Sequence, residues 1–181
     1  MVLVLFVGGT DTVSSTLEWA MPEFIHNPNK LEKARLKVTK LMKNKKDIIQ
    51  ESYISQLPYL ETVIKETLRL HPPAPFSYPS PSHTRCRNPR LHGVDYISQD
   101  FELISFGAGK RICPGLNMAH RMLHIMVGSL IQNFDWKLEG NIRAHDMDMS
   151  ERFGLTLQRS MSLKAIPLGL QWVLNACVYI I

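Results

Sequence analysis

Cysteine is scarce in this chain: Cys86, Cys113 and Cys177 are the only three in 181 residues. They show no C-x-x-C spacing and no even count. A disulfide framework is therefore not indicated, and a reducing compartment fits. Long apolar runs are lacking too. After Met1 comes VLVLFV, six apolar residues with no basic flank, too short to cross a bilayer. The apolar C-terminal stretch, LQWVLNACVYII, is equally short. The expectation is a chain with neither signal peptide nor anchor. Aromatic residues are missing from the lysine-rich stretch Lys30 to Lys46, KLEKARLKVTKLMKNKK. Without them there is no stacking platform for bases, and no nucleic-acid partner is expected. No internal repeat or low-complexity segment is found.

What is present suits one domain, residues 1–181. The chain is 45% hydrophobic and 20% charged, enough for a real core. Its net charge of +5 comes mostly from the lysine stretch, read as the solvated face of a helix ending near Leu41. In that helix Leu31, Ala34, Leu36, Val38 and Leu41 form only a ragged apolar stripe. Residues 2 to 26 allow two readings: strand, turn and helix, or one long helix carrying the pair Gly8-Gly9. Val13, Leu17, Ala20, Met21 and Phe24 lie at helical spacing there. Leu57 to Pro73 reads as a helix with Leu60, Val63, Ile64, Thr67 and Leu68 on one face, stopped by His71-Pro72-Pro73. Residues 72 to 100 are rich in Pro, Ser and Arg, a long irregular stretch that reads as a functional loop or a damaged region. Leu116 to Phe134 is a strong helix, with Leu116, Ala119, Leu123, Met126, Val127, Leu130 and Ile131 on one face. FGLTLQRS and SLKAIPL read as short strands and turns.

One stretch frames a cysteine tightly: FGAGKRICPG, Phe106 to Gly115. Gly107 and Gly109 allow positive φ and close approach of backbone to a flat ligand. Pro114 suits the first turn of the helix that follows. Cys113 is thereby placed at a helix N-terminus, where the dipole and free N–H groups favour a thiolate, with Lys110 and Arg111 adding positive charge. Such a sulfur suits a metal ligand or a nucleophile.

These residues resemble the haem-binding loop of the cytochrome P-450 superfamily, F-x-x-G-x-R-x-C-x-G, at Phe106, Gly109, Arg111, Cys113 and Gly115. Two further motifs agree in order. Glu66-Thr67-Leu68-Arg69 is similar to the family's E-x-x-R, and stands before HPPAP. Gly8-Gly9-Thr10-Asp11-Thr12 is similar to [AG]-G-x-[DE]-T in the family's long helix across the haem, which favours the one-helix reading of residues 2 to 26. Segments such as ESYISQLPYLETVIKETLRLHPPAP look like plant members of the geraniol-hydroxylase-like group.

The resemblance implies a mainly α fold with small β segments, the C-terminal, haem-binding part of a P-450. It implies truncation at the N-terminus and shortening between about residues 76 and 100, where no P-x-R-F type segment is seen. Cys113 would be the axial thiolate on haem iron, Arg111 would pair with a propionate, and Phe106 would pack beside the sulfur. Glu66 and Arg69 would form a structural pair, and Asp11 and Thr12 would relay protons to dioxygen. Val4, Gly8, Ala74, Phe76, Leu155 and Thr156 would line the substrate pocket. The implied activity is insertion of one oxygen atom from O₂ into a small lipophilic substrate such as a terpenoid, in plant secondary metabolism. Electrons would come from NADPH through a reductase. Full-length relatives would sit on the cytosolic face of the endoplasmic reticulum membrane.

A second reading is a non-catalytic remnant or partner-binding fragment of such an enzyme. A third, a nucleotide-binding domain, takes VLVLFVGGTDT as strand, phosphate loop and helix. It lacks G-K-S/T and a full G-x-G-x-x-G. His120 and His124 are four apart without the glutamate of H-E-x-x-H, and are read as polar or partly buried helix positions. His83, Cys86 and His92 have only loose ligand spacing, and no metal is expected there.

Overall fold

The structure is a computed structural model that describes residues 2–42, 49–74, 105–107, 110, 112–154 and 156–169. Four helices dominate. Helix α1 (Val2–His26) is continuous, so the strand-turn-helix reading of its first residues gives way to the single helix. Gly8 and Gly9 stay helical within it, each at a cost of about 1 kcal/mol relative to alanine. Asn27 ends the helix, and its side chain donates back to the Glu23 carbonyl at 2.9 Å. Helix α2 (Pro28–Leu41) starts with proline at its first position, where the missing N–H has no helical partner anyway. Helix α3 (Pro58–Leu70) follows a 3₁₀ turn over Glu51–Gln56 and starts in the same way. Helix α4 (Leu116–Asn133) runs straight into strand β1 (Phe134–Leu138).

Strand β1 pairs antiparallel with β4 (Ala165–Gly169), Phe134 opposite Gly169. A separate antiparallel hairpin joins β2 (Glu151–Phe153) to β3 (Leu157–Arg159). The fold is mainly α with small β segments, as expected.

The core lies where the four helices meet. Trp19, Ala20 and Phe24 of α1, Ala34 and Val38 of α2, Leu60, Ile64 and Leu68 of α3, and Leu123, Val127 and Ile131 of α4 are all buried. Burying each large apolar side chain contributes roughly 1.5–3 kcal/mol before chain entropy is counted. On α2 only Ala34 and Val38 are buried and Leu36 is exposed, which explains the ragged stripe.

The buried face of α4 is rotated from the sequence expectation. His124, Gly128 and Gln132 are inside, whereas Met126 is exposed. The polar pair can sit there because His124 bonds within its own helix, its Nδ1 lying 2.6 Å from the His120 carbonyl. Gly128 permits contact: a Cβ there would lie 2.6 Å from Ile49 Cδ1. Arg35 of α2 closes the end of α4. Its Nε and Nη2 donate to the carbonyls of Ile131 and Phe134 at 2.8 and 2.9 Å, and Nη1 meets Asp135 at 2.6 Å.

Candidate functional site

Gly107 sits at φ 74°, the left-handed region that glycine enters without a Cβ penalty. That residue turns the chain back on itself. The Cys113 N–H can then donate to the Phe106 carbonyl at 2.8 Å, and Ser105 Oγ donates to the Leu68 carbonyl at 3.0 Å. The cysteine loop is thus stitched to itself and to the end of α3. Helix α4 is capped by Gly115, so Pro114 precedes the helix rather than entering its first turn. Cys113 stands two residues before that cap, and its carbonyl accepts from the Leu116 N–H at 3.3 Å. The sulfur is half-buried and free. A Cβ on Gly115 would lie 3.7 Å from it, an ordinary contact.

A small cleft opens between α1, α3, α4 and this loop. Thr12, Val13 and Thr16 form one wall, Leu68 and Pro73 another, and Phe106, Ala119 and Leu123 complete it. Two residues singled out in the sequence, Thr12 and Phe106, therefore share one cavity. The Thr12 hydroxyl donates to the Gly8 carbonyl at 2.6 Å, which fixes its rotamer beside the glycine pair. An added Cβ at Gly8 or Gly9 would meet nothing within 4 Å, so this backbone is open.

The other expected residues are spread around that cavity. Asp11 is half-buried, one position from Thr12 and outside the cleft lining. Glu66 and Arg69 form a two-point ion pair, with Arg69 Nε and Nη2 donating to the two carboxylate oxygens at 2.8 Å each. This fork-to-fork geometry is among the stronger hydrogen-bonded pairings. Ala74 is exposed and Thr156 is buried, its hydroxyl accepting from Gln158 Nε2 at 3.1 Å. Gly109, Arg111, Phe76, Leu155 and the Val4 side chain lie outside the described residues, as do His83, Cys86 and His92. Lys110 and Arg121 are exposed, and Arg121 pairs with Glu51 at 2.9 Å.

Among the described residues, no group of three His, Cys, Asp or Glu side chains stands ready to hold a metal ion. Cys113 is a free, half-buried thiol held in a constrained loop, and a lone thiolate of this kind could supply one ligand to a metal that brings its other ligands with it, as haem iron does.

Sequence reasoning missed a polar layer beneath the cleft. His71 lies parallel to the buried Trp19 ring, with centroids 3.7 Å apart and planes 5° apart. Its Nδ1 meets Glu151 at 3.0 Å, and its Nε2 lies 3.8 Å from Glu23. The His71 imidazole holds the Glu23 carboxyl below its ordinary value, against the opposing effect of burial. Arg159, also buried, lies with its guanidinium carbon 5.9 Å from the Trp19 centroid. Burial lowers its pKa, and Glu18 and Asp148 oppose that shift. His71 had been legible only as part of a helix stop.

The Cytochrome P450 family model matches residues 1–83 and 91–163. The chain is 42% identical over 205 residues to Cytochrome P450 76T24 of Catharanthus roseus, covering 94% of this chain and 41% of that protein. It is 43% identical over 202 residues to a Geraniol 8-hydroxylase of the same plant, covering 92% and 41%. This chain thus spans about two-fifths of the length of the curated relatives it matches. A solved zebra fish cytochrome P450, a structure with progesterone, superimposes with a TM-score of 0.69 at 21% identity. It covers 91% of this chain and 44% of its own, which makes the fold described here a partial P450 fold. With its cysteine loop, its E-x-x-R pair and its glycine-threonine helix in the family's order, this chain belongs to the cytochrome P450 family.

Proposed function

We propose that this chain is the haem-binding part of a monooxygenase acting on a small lipophilic substrate of the terpenoid class. The single observation that carries the reading is the cleft shared by Thr12 of α1 and Phe106 of the cysteine loop, with Cys113 held by its backbone bond to Phe106. The substrate class draws support from relatives named Geraniol 8-hydroxylase, in Catharanthus roseus and Swertia mussotii. When bound, haem supplies activation of O₂ at its iron and insertion of one oxygen atom into the substrate.

The chain's own residues do the rest. Cys113 would hold the iron through its thiolate, and the resemblance gives Arg111 the role of pairing with a propionate. The apolar side chains Val13, Leu68 and Leu123 line the cleft and suit a lipophilic substrate. Thr12 carries a hydroxyl proton, parked on the Gly8 carbonyl, and Asp11 exchanges protons between solvent and that hydroxyl. Glu66 and Arg69 lock the end of α3, and so the wall that Leu68 contributes. By the family resemblance Gly8, Ala74 and Thr156 would line the substrate pocket, together with Val4, Phe76 and Leu155, whose side chains lie outside the described residues. Electrons reach the site from NADPH through a reductase. In the longer relatives this assembly belongs on the cytosolic face of the endoplasmic reticulum membrane; no helix among the described residues is long and apolar enough to cross one.

The test is an absorption spectrum of the chain loaded with haem, reduced and exposed to carbon monoxide. A strongly red-shifted Soret band that Cys113→Ser removes is the expected result. Retention of that band in the Cys113→Ser variant overturns the assignment.

One observation favours a second reading, a partner-binding fragment without activity of its own. Met118, Met122 and Met126 are exposed in a row along α4 at four-residue spacing. Such a stripe is apolar surface that another chain would cover. A monomeric chain that holds haem with a thiolate spectrum removes this alternative.

A further inference from the structure

Helix α4 is apolar on two sides. Leu123, Val127 and Ile131 are buried against the other helices, whereas Met118, Met122 and Met126 are 69%, 40% and 36% exposed. At about 100° per residue the three methionines fall within about 80° of one another, opposite the buried set. A helix with apolar residues on both sides belongs under a second cover. Arg121, an exposed charge beside the stripe, is already paired with Glu51. The stripe leads to a definite place. Asn133, seven residues beyond Met126, lies on the same side of the helix, and the next residue, Phe134, opens β1. Phe134 is paired with Gly169, the last residue of β4. The antiparallel register makes β4 run back toward α4. The chain therefore leaves Gly169 beside the end of α4, where the methionine stripe begins.

We propose that residues 170–181, LQWVLNACVYII, dock on this stripe and run back along α4 over Met126 and Met122. These residues lie outside the described structure, and the inference rests on place, pattern and length. The segment starts where α4 ends. It carries no Asp, Glu, Lys or Arg, as an occupant of an apolar stripe should not. Leu170, Val173, Leu174, Cys177, Val178 and Ile181 recur at helical spacing, and Gln171 and Asn175, four apart, fall on the other side. As a helix the segment would be about 18 Å long. Measured along α4 from Asn133, Met126 lies at about 10 Å, Met122 at about 16 Å and Met118 at about 22 Å. The segment thus reaches the first two methionines and stops short of the third. Unbranched thioethers suit such a contact, because they adapt to an irregular apolar partner. The family match ends at residue 163, so this cover belongs to the chain's own continuation. It takes the place of the outside partner in the second reading above.

Methionine oxidation reads this cover directly, because sulfoxide forms fastest at exposed thioethers. The purified full chain is treated with dilute hydrogen peroxide, and mass spectrometry follows the rate at each methionine. Met161, 62% exposed, is the open reference, and the buried Met21 and Met42 report unfolding. Met122 and Met126 should oxidise about tenfold more slowly than Met161, while Met118 keeps pace with it. A chain ending at Gly169, and separately Val173→Asp in the full chain, should bring Met122 and Met126 to within about twofold of Met161, with Met21 and Met42 still slow. Near-equal rates at Met122, Met126 and Met161 in the natural chain, or rates that both variants leave unchanged, overturn the docking. Protection that covers Met118 equally, or that fades on dilution, assigns the stripe to a second copy of the chain and overturns it too. Should the shortened chain unfold, seen as fast oxidation of Met21 and Met42, Val173→Asp and the natural chain's order of rates decide the matter. The measurement needs no haem, so the docking and the monooxygenase reading stand or fall separately.

Discussion

Acidification should weaken this fold through one side chain, His124. The residue is fully buried on α4, and its Nδ1 faces the His120 carbonyl at 2.6 Å. A carbonyl can only accept, so Nδ1 carries the proton and Nε2 is left as a bare, buried acceptor without a partner. Burial is the main reason its pKa falls to about 4; the bond to the His120 carbonyl pulls the other way, and His120 itself adds a further lowering. In the unfolded chain the imidazole titrates near 6.5. Above that value it is neutral in both states and contributes nothing to the pH dependence. Between 6.5 and about 4 the unfolded chain holds one more proton than the folded chain, so stability falls as pH falls. A gap of roughly 2.5 units at 1.36 kcal/mol each amounts to about 3 kcal/mol. Urea unfolding followed by circular dichroism at pH 7, 6, 5 and 4.5 measures the loss. His124→Asn offers a donor for the His120 carbonyl yet does not titrate, so its stability should stay nearly flat over this range. An equal slope in the variant and the natural chain would refute the reasoning.

Arg35→Ala should lower stability by about 2–3 kcal/mol, because two carbonyls at the end of α4 and the Asp135 carboxylate lose a charged donor; thermal unfolding reads this out. Arg35→Lys should recover less than half of it, since an ammonium cannot reproduce the fork. Gly128→Ala should destabilise by about 1 kcal/mol, overpacking against Ile49 outweighing the gain from removing a helical glycine. In an Ile49→Ala background the sign should reverse, and urea unfolding of the double-mutant cycle would expose the coupling.

Much of the fold was legible because it rests on local rules. The boundaries of α2 and α3 follow from Pro28, Pro58 and the His71-Pro72-Pro73 stop, each acting within a turn of its own position. The α4 helix was legible in extent but not in orientation. Its buried stripe includes His124, Gly128 and Gln132, which hydropathy assigns to the outside, because hydrogen bonding and backbone contact outweigh polarity there. The choice between one helix and a strand-turn-helix for residues 2 to 26 could not be made from periodicity. The resemblance carried by Gly8-Gly9-Thr10-Asp11-Thr12 decided it, and the unbroken α1 agrees.

The site divides along the same line. Loop chemistry singled out Cys113 and the family resemblance added Phe106; a backbone hydrogen bond joins the two. Thr12 joins Phe106 only because α1 crosses the loop, a meeting of residues 94 positions apart in number that no local pattern encodes. The layer of His71, Trp19, Glu151 and Arg159 is the extreme case. Its members come from four elements, and none sits in a motif that names a partner. A buried arginine with two unpartnered nitrogens and a buried indole N–H are costly placements that sequence statistics would count against the fold. They persist here on the surface where the hairpin, the end of α3 and α1 must be held together. In this chain two residues at motif positions, Thr12 and Phe106, meet in the cleft, and Val13, Thr16, Ala119 and Leu123, which belong to no motif, complete its walls.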